Sequence, residues 1–117
     1  FICQFFIDKA VFLGALANLI DSDGDLIGPF SSLLSHDEID DAHIRGLGGA
    51  IVHPSAMIRR KSMIDMGYSD RYSHAEDLDL WLRLAEIGHL ANIPDRLFLY
   101  RQHINSIGYA KRVSLIW

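Results

Sequence analysis

The run Ser73-His74-Ala75-Glu76-Asp77-Leu78-Asp79-Leu80-Trp81-Leu82-Arg83-Leu84-Ala85-Glu86-Ile87-Gly88 decides how this chain is read. Ser73 and Glu76 stand three apart, the spacing of a capping box, so the run is expected to start a helix at its acidic end. Leu78, Trp81, Leu82 and Ala85 recur at i, i+3, i+4 and i+7, and Leu80, Leu84 and Ile87 widen that stripe. Such a helix is buried over much of its girth, and Gly88 supplies the stop.

The flanks alternate short strands and helices. Val11 to Ile20 is apolar and meets the turn Asp21-Ser22-Asp23-Gly24-Asp25, after which Leu26 to Phe30 resumes, so a two-stranded hairpin is expected. Ser35 and Glu38 form another capping box, placing a helix over about His36 to Arg45. Ala50 to Arg59 reads as an extended segment interrupted by Pro54, and Arg60 to Met66 as a short helix closed by Gly67. Leu90 to Ile93 and Leu97 to Arg101 are two strand candidates with a turn at Pro94-Asp95. Residues 2–9 suggest the last turns of a preceding helix. The pattern is α/β: a short mixed sheet packed by one central amphipathic helix, in a single domain over residues 1–117.

Composition narrows the function classes. With 117 residues, 50% hydrophobic and 22% charged, the chain has room for one modest core. A formal charge of −4 offers no basic field for nucleic acid or an anionic membrane. The single Cys3 cannot form an internal disulfide, which fits a reducing, cytoplasmic setting. Gln4, Asp8, Lys9 and Asn18 interrupt the apolar opening well short of the ~20 residues a transmembrane helix needs. With no initiator Met and no basic leader, the chain is expected to begin in mid-domain.

Chemistry concentrates at the start of the Glu76 helix. Unpaired N–H groups and the helix dipole favour ionised carboxylates there, as a waiting base requires. If Glu76 folds back to cap Ser73, Asp77 points elsewhere and can face a cleft. Both carboxylates also suit a plain helix cap. Trp81 lies one turn on, where it suits a sugar platform or, more commonly, the core. Asp79 and Arg83, four apart, are expected to make an exposed pair contributing about 0.3–0.5 kcal/mol. His53 at a strand break suits either a ligand donor or a structural role. Arg101 and His103, two apart in an extended segment, share a face that suits either a diphosphate or, more commonly, plain surface residues with no ligand. The Asp21–Asp25 run departs from an EF-hand, with Gly in the fourth position and Ser32 in the twelfth, so it is read as a turn. His36 and His43 flank Asp40 on a helix face that is expected to be solvated.

Three of these segments in order, His53-Pro54-Ser55-Ala56-Met57-Ile58-Arg59-Arg60, then Glu76-Asp77-Leu78-Asp79-Leu80-Trp81-Leu82-Arg83-Leu84-Ala85 with Gly88, then Tyr100-Arg101-x-His103, resemble the second half of family 2 glycosyltransferases of GT-A fold. Leu19-Ile20-Asp21-x-Asp23-Gly24 and Gly28-Pro29 also match the hairpin that precedes these segments in many members. The resemblance implies inverting transfer of a sugar from a nucleotide-diphosphate donor to a hydroxyl of an acceptor glycan or lipid. It makes Asp77 the general base, Glu76 its motif partner, Trp81 a neighbour of the acceptor, and Arg101 with His103 the groups facing the leaving diphosphate. The family's nucleotide-binding strands and metal-binding D-x-D lie before this segment; Asp21-x-Asp23 and Asp77-x-Asp79 share only its spelling. No metal site is expected in this chain, a divalent metal (Mn or Mg) is expected in the complete enzyme, and the chain alone is expected to be inactive. An open sheet edge and the apolar N-terminal segment lead us to expect a homo-oligomer. The alternative is a non-catalytic binding or oligomerisation module on the same scaffold.

Overall fold

In the computed structural model, which describes residues 9–105, the chain forms a small mixed α/β domain. The element order is β1 (Ala10–Ile20), β2 (Leu26–Phe30), α1 (His36–Ile44), a 3-10 turn (His53–Ser55), β3 (Met57–Ile58), α2 (Arg60–Met66), α3 (Glu76–Ile87) and β4 (His89–Arg101). The expectation for residues 2–9 falls almost wholly outside the described residues. Among the described residues no helix is long and apolar enough to cross a membrane.

β1 is the centre of the sheet. On one side it pairs with β4 in parallel along its whole length. On the other it pairs antiparallel with β3 at Phe12 and Leu13 and with β2 from Ala17 to Ile20. Residues 10–17 are buried without alternation, as expected of a strand covered on both faces. Between β3 and β2 the edge of β1 would lack a partner at Ala15. The Ser55 hydroxyl supplies one, accepting the Ala15 N–H at 3.0 Å and lying within donor range of the Ala15 and Val52 carbonyls. The expected extended segment over 50–59 is therefore broken: Pro54 opens a 3-10 turn that delivers Ser55 to β1, and only Met57–Ile58 remains a strand.

β4 corrects the expected turn at Pro94-Asp95. It is one strand, in which Ala15 pairs with Ile93 and the next β1 residue, Leu16, pairs with Arg96. Pro94 and Asp95 occupy the resulting bulge, both exposed, where proline's missing N–H costs no ladder bond. Arg96 then donates to the carbonyls of Ala17, Phe30 and Ser31, holding Ser31 at φ 61°.

α1 and α3 cover the sheet around Phe12, Ile39, Leu80, Trp81, Leu84 and Leu90, all at most 3% exposed. Phe12 meets the Trp81 ring edge-on at 4.9 Å, a favoured aromatic geometry. The α3 stripe is narrower than its sequence suggests: Leu80, Trp81 and Leu84 are buried, and Ile87 is exposed. Gly88 follows α3 because a Cβ there would stand 2.4 Å from Val11 Cγ1. Asn92, buried in β4, donates to the Leu33 and Ala50 carbonyls and ties together the two loops flanking α1. Its Oδ1 abuts Gly14, where a Cβ would lie 2.4 Å away.

Of the two expected capping boxes, one forms. Ser35 and Glu38 cap α1 reciprocally, and the Ser35 and Leu34 backbone N–H groups hold the Glu38 carboxyl below the usual carboxylate range. α3 has Ala75 as its N-cap instead and no side-chain cap, because His74 takes φ 70° and the chain turns through Tyr72 and Ala75 before the helix begins.

Candidate functional site

The start of α3, the 3-10 turn and the segment after α2 meet at four side chains: Asp77, His53, Tyr68 and Trp81. Asp77 uses its two carboxylate oxygens differently. Oδ1 accepts the Leu78 N–H at 2.8 Å, satisfying one of the unpaired donors of the first helical turn. Oδ2 faces His53 Nδ1 at 4.0 Å. Both side chains are 45% exposed, so solvent reaches them. The expected capping role of Glu76 is thereby corrected: Glu76 is exposed and makes no capping bond, and Asp77 itself gives one oxygen to the backbone and turns the other toward His53.

On the opposite side of its ring, His53 Nε2 lies 2.8 Å from the Tyr68 hydroxyl. Partial burial, with Asp77 and then Glu76 nearby, pushes the Tyr68 phenol above its ordinary pKa, so it remains an O–H donor across the physiological range. Trp81 is 3% exposed and stands edge-on to His53, with centroids 5.4 Å apart and planes at 87°. Of the two roles the sequence left open, the structure shows the core one: Trp81 is a wall of the core that braces the imidazole and reaches the site only through His53.

The loop carrying Tyr68 is anchored from α3. Arg83 donates to the Met66 and Gly67 carbonyls at 3.1 and 2.7 Å and meets Asp79 at 2.8 Å. The Asp79–Arg83 pair is thus not the exposed surface pair expected from spacing. Its side chains are 18% and 31% exposed, and it fixes the residue immediately before Tyr68. Tyr68 and Arg83 are the members of this arrangement that sequence reasoning did not place. The Gly67-Tyr68 pair after a short helix was legible only as a stop, and a cross-loop clamp leaves no periodic trace.

Arg101 and His103 lie elsewhere. The level of His53 on the sheet is marked by Ser55 at Ala15, and Arg101 pairs with Ile20, five residues and roughly 16 Å further along β1. The Arg101 guanidinium donates to the Asp21 and Ser22 carbonyls at 2.9 and 3.0 Å and so closes the hairpin turn. Inside that turn Asp21 Oδ1 accepts the N–H groups of Asp23 and Asp25, as the turn reading requires. The Asp21, Asp23 and Asp25 carboxylates fall within 4.8 Å of one another. They lie at the far end of β1 from Asp77, and one oxygen of Asp21 is taken by the turn's own backbone.

The histidines of α1 do not form a solvated face, His36 being part-buried and His43 buried. His36 Nδ1 accepts the Leu90 N–H at 3.1 Å, and His43 is 2% exposed, with burial pushing its pKa down against the smaller opposing pull of Asp40 and Asp77. A shallow groove beside α1, lined by Phe30, Ser31, Leu33, Arg45 and Gly49 among others, shares no residue with the Asp77 cluster. Compared as a whole chain, the protein matches no protein-family model and no curated protein.

Proposed function

We propose that this chain is the acceptor-side half of an inverting glycosyltransferase domain of GT-A type, with Asp77 as general base. The observation that carries the reading is the Asp77 carboxylate, pinned through one oxygen and presenting the other, half exposed, at the mouth of a helix. In the proposed reaction an acceptor hydroxyl attacks the anomeric carbon of a nucleotide-diphosphate sugar. The new C–O bond forms as the bond to diphosphate breaks, the diphosphate leaves with the electron pair, and the hydroxyl proton passes to Asp77.

The donor, its nucleotide and its divalent metal belong in this reading to a further half, and no step is routed through the Asp21–Asp25 turn. Arg101, committed to that turn, is given no part in the Asp77 step. An acceptor glycan or lipid and a cytoplasmic setting complete the proposal.

The test is Asp77→Asn in the longer chain that the reading requires, supplied with a panel of nucleotide-diphosphate sugars. Transfer is expected to fall at least about a hundredfold, with an unchanged unfolding midpoint. Full transfer by the variant sinks the reading and favours a non-catalytic module, in which the same carboxylate only caps α3.

A further inference from the structure

We propose that the acceptor hydroxyl sits in the gap between Asp77 Oδ2 and His53 Nδ1, and that Tyr68 is a positioning residue that fixes the His53 tautomer facing it. This inference rests on the glycosyl-transfer reading of Asp77.

At 4.0 Å the two atoms are too far apart for a direct hydrogen bond. An oxygen about 2.8 Å from both would see them at an angle of about 90°, close to the directions in which an alcohol donates and accepts. The tautomer follows from the neighbours. An ionised carboxylate only accepts, so the nitrogen facing Asp77 is favoured as N–H. Nε2 is then left with a lone pair, and the Tyr68 hydroxyl stands 2.8 Å from it as the donor that lone pair needs. Trp81, edge-on at 5.4 Å, backs the ring, and Arg83 holds the Gly67 carbonyl next to Tyr68. Among the described residues, the titratable groups that feel Asp77 are His43 on α1 and Tyr68, and Tyr68 also feels Glu76.

Seated there, the alcohol donates its proton toward Asp77 Oδ2 and accepts from Nδ1–H with one lone pair. The second lone pair points out of the gap toward the donor sugar. When the C–O bond forms, the proton ends on Asp77, and His53 keeps the same protons throughout. His53 therefore orients the nucleophile without exchanging a proton.

Histidine-labelled full chain gives the first test, by long-range nitrogen–proton correlation at about pH 8, where imidazoles are neutral. The expected spectrum of His53 has a protonated Nδ1 and a bare Nε2, a pattern that Tyr68→Phe erases. A protonated Nε2 in the unmodified chain overturns the inference, as does a Tyr68→Phe spectrum identical to the parent; the first outcome needs no variant. In the longer chain, Tyr68→Phe is expected to lower kcat about tenfold with donor KM unchanged, and to add nothing in a His53→Gln background. Additive losses overturn the pairing of the two residues. If Asp77→Asn abolishes transfer while Nε2 carries the proton, the glycosyl-transfer reading stands and this inference alone falls. If Asp77→Asn is silent, both fall together.

Discussion

Replacing Arg83 by Met keeps the aliphatic stem and removes the guanidinium, with three contacts: Gly67 O at 2.7 Å, Met66 O at 3.1 Å and Asp79 at 2.8 Å. A buried hydrogen bond to a charged group contributes about 1.5–3 kcal/mol, and the 31% exposure of Arg83 reduces this to about 1 kcal/mol for each carbonyl. Asp79, only 18% exposed, is left without its cation, which adds about 1 kcal/mol. The sum is a loss of about 3 kcal/mol, or a fall in Tm of about 10 °C or more. Asp79→Asn removes the ion pair but leaves both carbonyl bonds, so it should cost only about 1 kcal/mol. Urea unfolding followed by circular dichroism measures both, with m expected to stay constant. The reasoning fails if Arg83→Met costs less than about 0.5 kcal/mol, the value of a solvated surface pair. It fails equally if the two variants cost the same, since the clamp on the Gly67 loop would then contribute nothing.

Two further outcomes follow from the helices. Ser35→Ala should lower stability by about 1 kcal/mol, whereas Ser73→Ala should stay within about 0.5 kcal/mol of the parent, because only the first serine caps a helix; chemical denaturation of the pair checks the contrast. His43 has a folded pKa below its unfolded value of about 6.5, so its contribution is present above that pH and is lost as pH falls through the lowered folded pKa. Between about pH 7 and pH 5 the urea midpoint should therefore drop more steeply in the parent than in His43→Gln, in which the carboxylates titrate as before. Parallel slopes would remove burial of this imidazole as a source of acid sensitivity.

The sequence made the local devices readable and the cross-chain ones opaque. The β1–β2 hairpin, α1, α2 and α3 appear close to their expected bounds because turn residues, one capping box and helical periodicity act within a few positions. Ser73 and Glu76 had the right spacing but the wrong backbone, since the left-handed His74 between them diverts the chain. Pro94-Asp95 has the composition of a turn, yet a bulge against Leu16 absorbs it, and the partner strand lies some 80 residues away. The candidate site was half legible. Asp77 and His53 were singled out separately and are brought face to face, Trp81 lies behind them, and Tyr68, on the loop that Arg83 clamps, joins through His53 Nε2. Arg101 shares a strand with none of them and instead closes the hairpin.

The parallel β1–β4 pairing also bears on how the chain comes off the ribosome. β1 and its hairpin partner emerge before β4, and the strand that covers the whole other side of β1 is made about 80 residues later. Until His89–Arg101 arrives, an eleven-residue apolar strand has an open side, and long-range closure of this kind is slow. Nascent chains stalled before β4 should therefore need a chaperone's cover, and those released with β4 complete should not.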